Sequence, residues 1–228
     1  MRTSYDVIVV GGGIFGSAIA YGLIRAGLDV IVLDEGDNAL RAARGNFGLV
    51  WVQSKGQGMQ PYADWSRESS HLWDDFAVEL RDATGIDVDY RNAGGLHFML
   101  GEEELAQRRT DIAQMRQQAG PAGYDCEIIS REEAQKFLPD VQIGEAVSAA
   151  SFCPHDGHVN PLLLLRALHT AISSMGGRYR SGFRVETIRH DGHAFVAETR
   201  DGSFTAPKLV LGAGHGAPRL GPMVGLDV

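Results

Sequence analysis

Val7-Ile-Val-Val-Gly-Gly-Gly-Ile-Phe-Gly-Ser-Ala-Ile-Ala20, followed by Val30-Ile-Val-Leu-Asp34, is the stretch that decides the fold. Tyr5 to Val10 is a short, β-branched apolar run of the kind a buried parallel strand requires. It leads directly into Gly11-x-Gly13-x-x-Gly16, and an apolar helix follows as far as Gly27. Gly11 permits the tight turn off the strand, Gly13 lets backbone approach a pyrophosphate, and Gly16 lets helix and strand pack closely. The helix start then offers free N–H groups and a positive dipole end to phosphate. A second apolar run, Val30 to Leu33, ends in Asp34, 21 residues after Gly13. A carboxylate there can accept hydrogen bonds from a ribose 2′-hydroxyl and repels a 2′-phosphate. A lone glycine triplet also occurs in ordinary turns, but here strand, turn, helix, second strand and acid fall in register, and the reading is dinucleotide binding.

The chain has 228 residues, room for one large or two small domains, and its 44% apolar content supports a core. A net charge of −8 argues against nucleic acid and anionic membrane surfaces as partners. Cys126 and Cys153 form no C-x-x-C pair, which favours a reducing compartment. No stretch reaches the roughly 20 apolar residues of a membrane span, and no signal peptide is recognised. The expectation is a cytoplasmic protein.

After Asp34 comes a long loop rich in glycine and arginine: Gly36, Arg41, Arg44, Gly45, Asn46, Gly48, then Gln53 to Gly58. Its embedded Phe47, Leu49, Val50, Trp51 and Val52 argue against disorder. The loop lies over a ligand or, alternatively, is a surface Ω-loop with its own apolar anchor. One helix is expected over Tyr62–Ala83, with Trp65, Leu72, Trp73, Phe76 and Leu80 as a core stripe. Strands are expected at Ile86–Tyr90 and Leu96–Leu100, a charged helix at Glu102–Gln118, and a strand at Cys126–Ile129. Ser130-x-x-Glu133 is a capping box for a helix that stops before Pro139. Val147–Phe152 reads as a strand, and Asn160-Pro161 caps a helix over Leu162–Met175. A meander follows, with strands Arg184–His190 and Ala194–Thr199 and turns at Asp191-Gly192 and Asp201-Gly202. Leu209–Leu211 is a last strand, running into Gly212-Ala-Gly214. This order suits an α/β, Rossmann-like FAD-binding domain with a β-meander crossover, plus part of a mixed α+β substrate domain, better than a six-stranded nicotinamide fold. The expected division is 1–84 and 151–228 for the FAD-binding domain and 85–150 for the substrate side.

Gly11-Gly-Gly-Ile-Phe-Gly16, Asp34, Asp156-Gly-His-Val-Asn-Pro161 and Val210-Leu-Gly-Ala-Gly214 together resemble the D-amino-acid oxidase-like family of FAD-dependent amine oxidoreductases, which includes glycine and sarcosine oxidases and D-amino-acid dehydrogenases. Arg44-Gly-Asn-Phe-Gly-Leu-Val-Trp-Val-Gln53 is similar to the small flavoprotein subunit of opine oxidases and hydroxyproline dehydrogenases. The resemblance implies FAD as cofactor. It implies that Gly11, Gly13 and Gly16, with Ile14 and Phe15, hold the pyrophosphate, and that Asp34, with Glu35, holds the adenosine ribose. Arg44, Gly45, Asn46, Phe47, Gly48 and Leu49 would run along the ribityl chain and isoalloxazine. Val185 would meet adenine through its backbone, the bland alternative being a plain core valine. Gly212, Ala213 and Gly214 would line the pyrophosphate from the other side.

The implied reaction is hydride transfer from an amine-bearing carbon of an amino acid, imino acid or opine to flavin N5, followed by imine hydrolysis. The cofactor carries the electron chemistry, so no catalytic residue is assigned. The family continues beyond Val228 with the arginine and tyrosine that grip a substrate carboxylate. A flavin-binding subunit or fragment without independent catalysis is therefore the alternative, and a hetero-oligomer with other dehydrogenase subunits is in keeping with the narrower resemblance. A nicotinamide dehydrogenase is the third reading. His155 and His158 do not make a metal site, which needs three or four ligands. They are read as polar packing, Lys55 as solvated and Cys153 as a small buried side chain.

Overall fold

The computed structural model describes residues 3–36 and 42–227. Along the chain the elements are β1 (Val7–Val10), α1 (Ile14–Arg25), β2 (Val30–Asp34), β3 (Leu49–Val50), α2 (Gln60–His71), α3 (Trp73–Thr84) and β4 (Gly95–Leu100). There follow α4 (Gly101–Ala119), β5 (Glu127–Ser130), α5 (Arg131–Phe137), β6 (Val147–Cys153), β7 (Gly157–His158) and α6 (Pro161–Ser174). The last are β8 (Arg178–Ser181), β9 (Val185–His190), β10 (Phe195–Thr199), β11 (Gly202–Ala206), β12 (Lys208–Leu211) and the short α7 (Ala217–Leu220). The chain divides into two compact units.

The first unit comprises Met1–Phe47, Val78–Val88 and Asn160–Val228. Its parallel sheet has the order β12-β1-β2-β8. Both inner strands are buried along their whole length, which explains their apolar runs, Val7–Val10 and Val30 to Leu33 ahead of Asp34. Strand geometry turns alternate residues to opposite faces. Val7, Val9, Val30 and Val32 meet Ala20 and Ile24 of α1 and Ile172 of α6. Ile8, Val10, Ile31 and Leu33 meet the other layer, the antiparallel meander β11-β10-β9, through Val185, Ile188, Ala197 and Phe204. Asn160 caps α6 as expected, its Oδ1 accepting the Leu162 and Leu163 N–H groups at 3.1 Å each.

The second unit comprises Gly48–Ala77 and Asp89–Val159. Its antiparallel sheet, β4-β6-β5, packs Met99, Ile128 and Ala149 against Leu105 of α4, and Phe137 of α5 stacks on Phe152 at 4.8 Å. The expected capping box forms: the Glu133 N–H donates to Ser130 Oγ at 3.1 Å, and the Ser130 N–H donates to Glu133 Oε2 at 2.8 Å. The Asp156 carboxylate, fully buried, accepts the Val52 N–H at 2.5 Å and Gln53 Nε2 at 2.6 Å. The opposite end of that amide, Gln53 Oε1, accepts Arg108 Nη2 at 2.5 Å and the Ser151 hydroxyl at 2.8 Å. Gln53 thus joins a buried carboxylate to a guanidinium only 6% exposed, and its segment is held between β6 and α4.

Three local expectations are corrected. Tyr62–Ala83 is not one helix: α2 ends at His71 and α3 begins at Trp73. Ser66 and Ser70 bond back to the carbonyls of Tyr62 and Arg67, a competition that weakens helix interiors. The core stripe is also not continuous, since Trp65 is 71% and Leu72 60% exposed, while Leu80 is buried. Ile86–Tyr90 is not a strand. Val88 is buried, but its carbonyl accepts a single N–H, from Asn160 at 2.9 Å, and Asp89 is left-handed at φ 54°. In addition, Arg178–Ser181, to which the sequence pattern assigns no element, is the fourth strand of the parallel sheet.

Replacing Gln53 by Leu removes the amide that links Asp156 to Arg108. Urea unfolding is expected to show a loss of about 2–4 kcal/mol with an unchanged slope, because two buried charged groups lose a shared partner.

Candidate cofactor site

At the carboxyl ends of β1, β2 and β12 three turns converge, and here the sheet order passes from one side of β1 to the other. Ligands of open α/β sheets bind at such a reversal. The Gly11 N–H donates to the Leu33 carbonyl and the Gly212 N–H to the Val10 carbonyl, each at 2.8 Å. The turns pack backbone to backbone. A Cβ on Gly11, whose φ is +105°, would lie 2.4 Å from the Gly212 oxygen, and one on Gly16 would lie 1.9 Å from the Gly11 oxygen. Gly13 differs, since among the described residues a Cβ there would meet only the Ala43 Cβ at 3.8 Å. Packing therefore requires glycine at 11 and 16, whereas among the described residues nothing crowds position 13.

Gly13 is the N-cap of α1; among the described residues no side chain caps the helix, and its first turn holds no acidic residue. The first N–H groups and the positive end of the helix dipole are thus available to an anion. Phe15, 82% exposed, and Phe47, 89% exposed, present apolar rings. The nearby segment is shaped by Asn46, whose Nδ2 donates to the Ala42 and Ala43 carbonyls at 3.0 Å each. Arg41 of the same loop lies outside the described residues.

Asp34 ends β2 almost fully buried, its Oδ2 accepting the Gly12 N–H at 2.7 Å and its Oδ1 the Gly36 N–H at 2.9 Å. Its carboxylate therefore pins the glycine turn to the end of β2. Glu35 is exposed, with Arg184 Nε at 3.9 Å. The Val185 side chain lies in the core and its carbonyl accepts Arg219 Nη2 at 2.8 Å. Gly212, Ala213 and Gly214 follow β12 beside the first turn. Gly48 and Leu49 belong to the second unit, where the Gly48 carbonyl accepts the Val159 N–H at 2.8 Å and Leu49 pairs with His158 across β3 and β7.

Sequence reading did not include Gly12, Ser17, His169 or Tyr179. Ser17 adjoins the motif and was within reach of inspection. The other two side chains come from α6 and β8, and no local signal connects them to the turn.

Among the described residues, no three or more His, Cys, Asp or Glu side chains are grouped to hold a metal ion. His155 is paired with Asp125 in the second unit, and Lys55 is exposed. Burial pushes the Cys126 thiol up, and burial followed by the Asp156 charge pushes Cys153 up to about 12. Both groups are uncharged thiols around neutrality.

The profile of the FAD dependent oxidoreductase family, DAO, matches residues 6–228, and the chain belongs to that family. It is 41% identical over 222 residues to an opine oxidase subunit of Rhizobium meliloti, covering 97% of this chain and 59% of the relative. It is 30% identical over 228 residues to glycine oxidase of Geobacillus kaustophilus, covering all of this chain and 59% of the relative. The crystal structure of that glycine oxidase superposes with a TM-score of 0.89 at 30% identity, covering all of this chain and 60% of the other. The chain thus spans about three fifths of the length of these relatives. FAD is the family's cofactor, and the open Gly13 cradle with its uncapped helix start fits the pyrophosphate. Among the described residues no helix is long and apolar enough to cross a membrane.

Two expectations follow. Gly13→Val costs the apoprotein about 1 kcal/mol or less, as for exchange of an N-cap glycine without a backbone clash, yet weakens FAD binding at least about tenfold by occupying the approach to Gly13. Gly16→Ala destabilises the apoprotein itself, and thermal unfolding beside FAD titration separates the two effects. In the native protein at pH 8, both cysteines are expected to resist a thiol reagent that reacts with them once the chain is unfolded in urea, because only thiolate reacts and burial suppresses it.

Proposed function

We propose that the protein is an FAD-dependent oxidoreductase that oxidises the C–N bond of an amino acid, imino acid or opine-type secondary amine. The observation that carries this reading is the glycine cradle at the uncapped start of α1, in a chain whose relatives include an opine oxidase subunit and a glycine oxidase. Opines and glycine share an amine nitrogen on a carbon beside a carboxylate. When bound, FAD would supply the hydride acceptor for oxidation of that carbon, and the imine product would be open to hydrolysis by water.

The chain's own residues bind and orient. The backbone of Gly11, Gly13, Ile14, Phe15 and Gly16 holds the pyrophosphate from one side, and that of Gly212, Ala213 and Gly214 from the other. Asp34 and Glu35 serve the ribose end, and the Val185 backbone serves adenine. Arg44, Gly45, Asn46 and Phe47 line the flavin side, and Gly48 and Leu49 continue that segment in sequence. The exposed rings of Phe15 and Phe47 are apolar surface suited to a flat heterocycle. We further propose a cytoplasmic protein that works with other subunits, in keeping with a relative named as one subunit of its enzyme.

A second reading is in keeping with the three-fifths coverage: these 228 residues are a flavin-binding part without independent catalysis. The test is an anaerobic screen of opines, secondary amino acids and glycine against the visible flavin absorbance of the full-length protein. Bleaching by an opine or secondary amino acid is the expected result. A yellow protein that no amine bleaches favours the second reading, and a colourless protein that binds reduced nicotinamide overturns both.

A further inference from the structure

The Gly12 residue is fixed at both of its polar groups, and the partners come from distant parts of the first unit. Its N–H is held by Asp34. Its carbonyl oxygen lies 2.8 Å from Nε2 of His169 on α6 and 3.1 Å from the hydroxyl of Ser17 on α1. A carbonyl can only accept, so His169 Nε2 carries the proton and donates. The His169 ring is itself positioned by stacking on Tyr179 of β8, with centroids 4.0 Å apart and planes inclined by 28°. Tyr179 in turn lies against the turn, since a Cβ on Gly12 would fall 2.5 Å from its ring.

The Gly12 carbonyl and the Gly13 N–H belong to one peptide unit. In a planar trans peptide these two groups point in opposite directions. Two donors drawing the carbonyl toward the α1–α6 side therefore turn the Gly13 N–H away from it, toward the open side of the turn. We propose that His169, supported by Ser17, is a positioning residue for FAD: it locks the Gly12–Gly13 peptide plane so that the Gly13 amide is pre-aimed at the pyrophosphate. This rests on the reading of the turn as the pyrophosphate site. Without the lock, a glycine-rich turn samples both orientations of that peptide, and binding has to select one of them.

Full-length apoprotein is titrated with FAD, following flavin fluorescence, for the wild type and for H169A, H169Q and S17A, and thermal unfolding is recorded for each apoprotein. Gln places an amide N–H close to where imidazole Nε2–H sits, without the ring. The expected result is FAD affinity reduced about tenfold in H169A, as for loss of one buried donor. H169Q is expected within about threefold of the wild type, and S17A reduced less than H169A, because the imidazole donor remains. Equal FAD affinity in H169A and the wild type overturns the proposal. So does an H169Q protein no better than H169A, which would assign the effect to ring packing on Tyr179. If H169A does not fold, H169Q and S17A decide: wild-type affinity in S17A together with strongly impaired H169Q overturns the lock. A wild-type protein that folds but takes up no FAD instead removes the cofactor reading on which the proposal stands.

Discussion

Two glycine turns in backbone-to-backbone contact set the limits within which the first unit is built. The carbonyl of Gly212 occupies the space a Cβ on Gly11 would need, and the Gly11 carbonyl occupies the space a Cβ on Gly16 would need. With those contacts made, β12, β1 and β2 lie side by side in register, from Lys208 opposite Val7 to Leu211 opposite Val10. The start of α1 then stands at the strand ends, and among the described residues no side chain caps its first amides. In the proposed site, the same closeness that excludes side chains from the turn lets backbone N–H groups approach a diphosphate at short range.

Around that contact, the polar groups divide by task. Asp34 fits the general expectation of an acid at the end of the second strand, and in this fold its carboxylate also acts on the protein itself, holding amides on both sides of it. That arrangement rigidifies the turn before any ligand arrives, which limits the ordering cost of binding. In the second unit, the Asp156–Gln53–Arg108 chain does comparable work for the segment after Val50, as a neutral amide relays between two buried charges. Both sites follow one rule: a buried charge persists where its hydrogen-bonding capacity is met by fixed donors.

The family assignment and the site geometry support each other without being the same evidence. Similarity along nearly the whole chain establishes the FAD dependent oxidoreductase family. The glycine contacts explain why that family's motif has the spacing it has, and why the three glycines are not equivalent. Packing demands glycine at 11 and 16, whereas among the described residues position 13 is uncrowded.

The βαβ unit, its glycines, the meander turns, the Ser130 capping box and the Asn160 cap were legible in the sequence, because each depends on residues within one or two turns of one another. Periodicity and cap chemistry carry that information directly. The break at Leu72, the irregular course of Ile86–Tyr90 and the strand at Arg178–Ser181 were not. A strand with Tyr179 as its one large apolar residue is recognisable only once β2 is beside it, and an apolar stripe on a helix does not state what will cover it. The candidate site shows the same division. Its glycines and Asp34 are local, whereas His169 and Tyr179 reach Gly12 from more than 150 residues away, through the packing of α6 and β8. Sequence alone determined which backbone could meet a phosphate. Only the tertiary structure decided which way that backbone points, since peptide orientation is set by partners that folding, not chain adjacency, brings together.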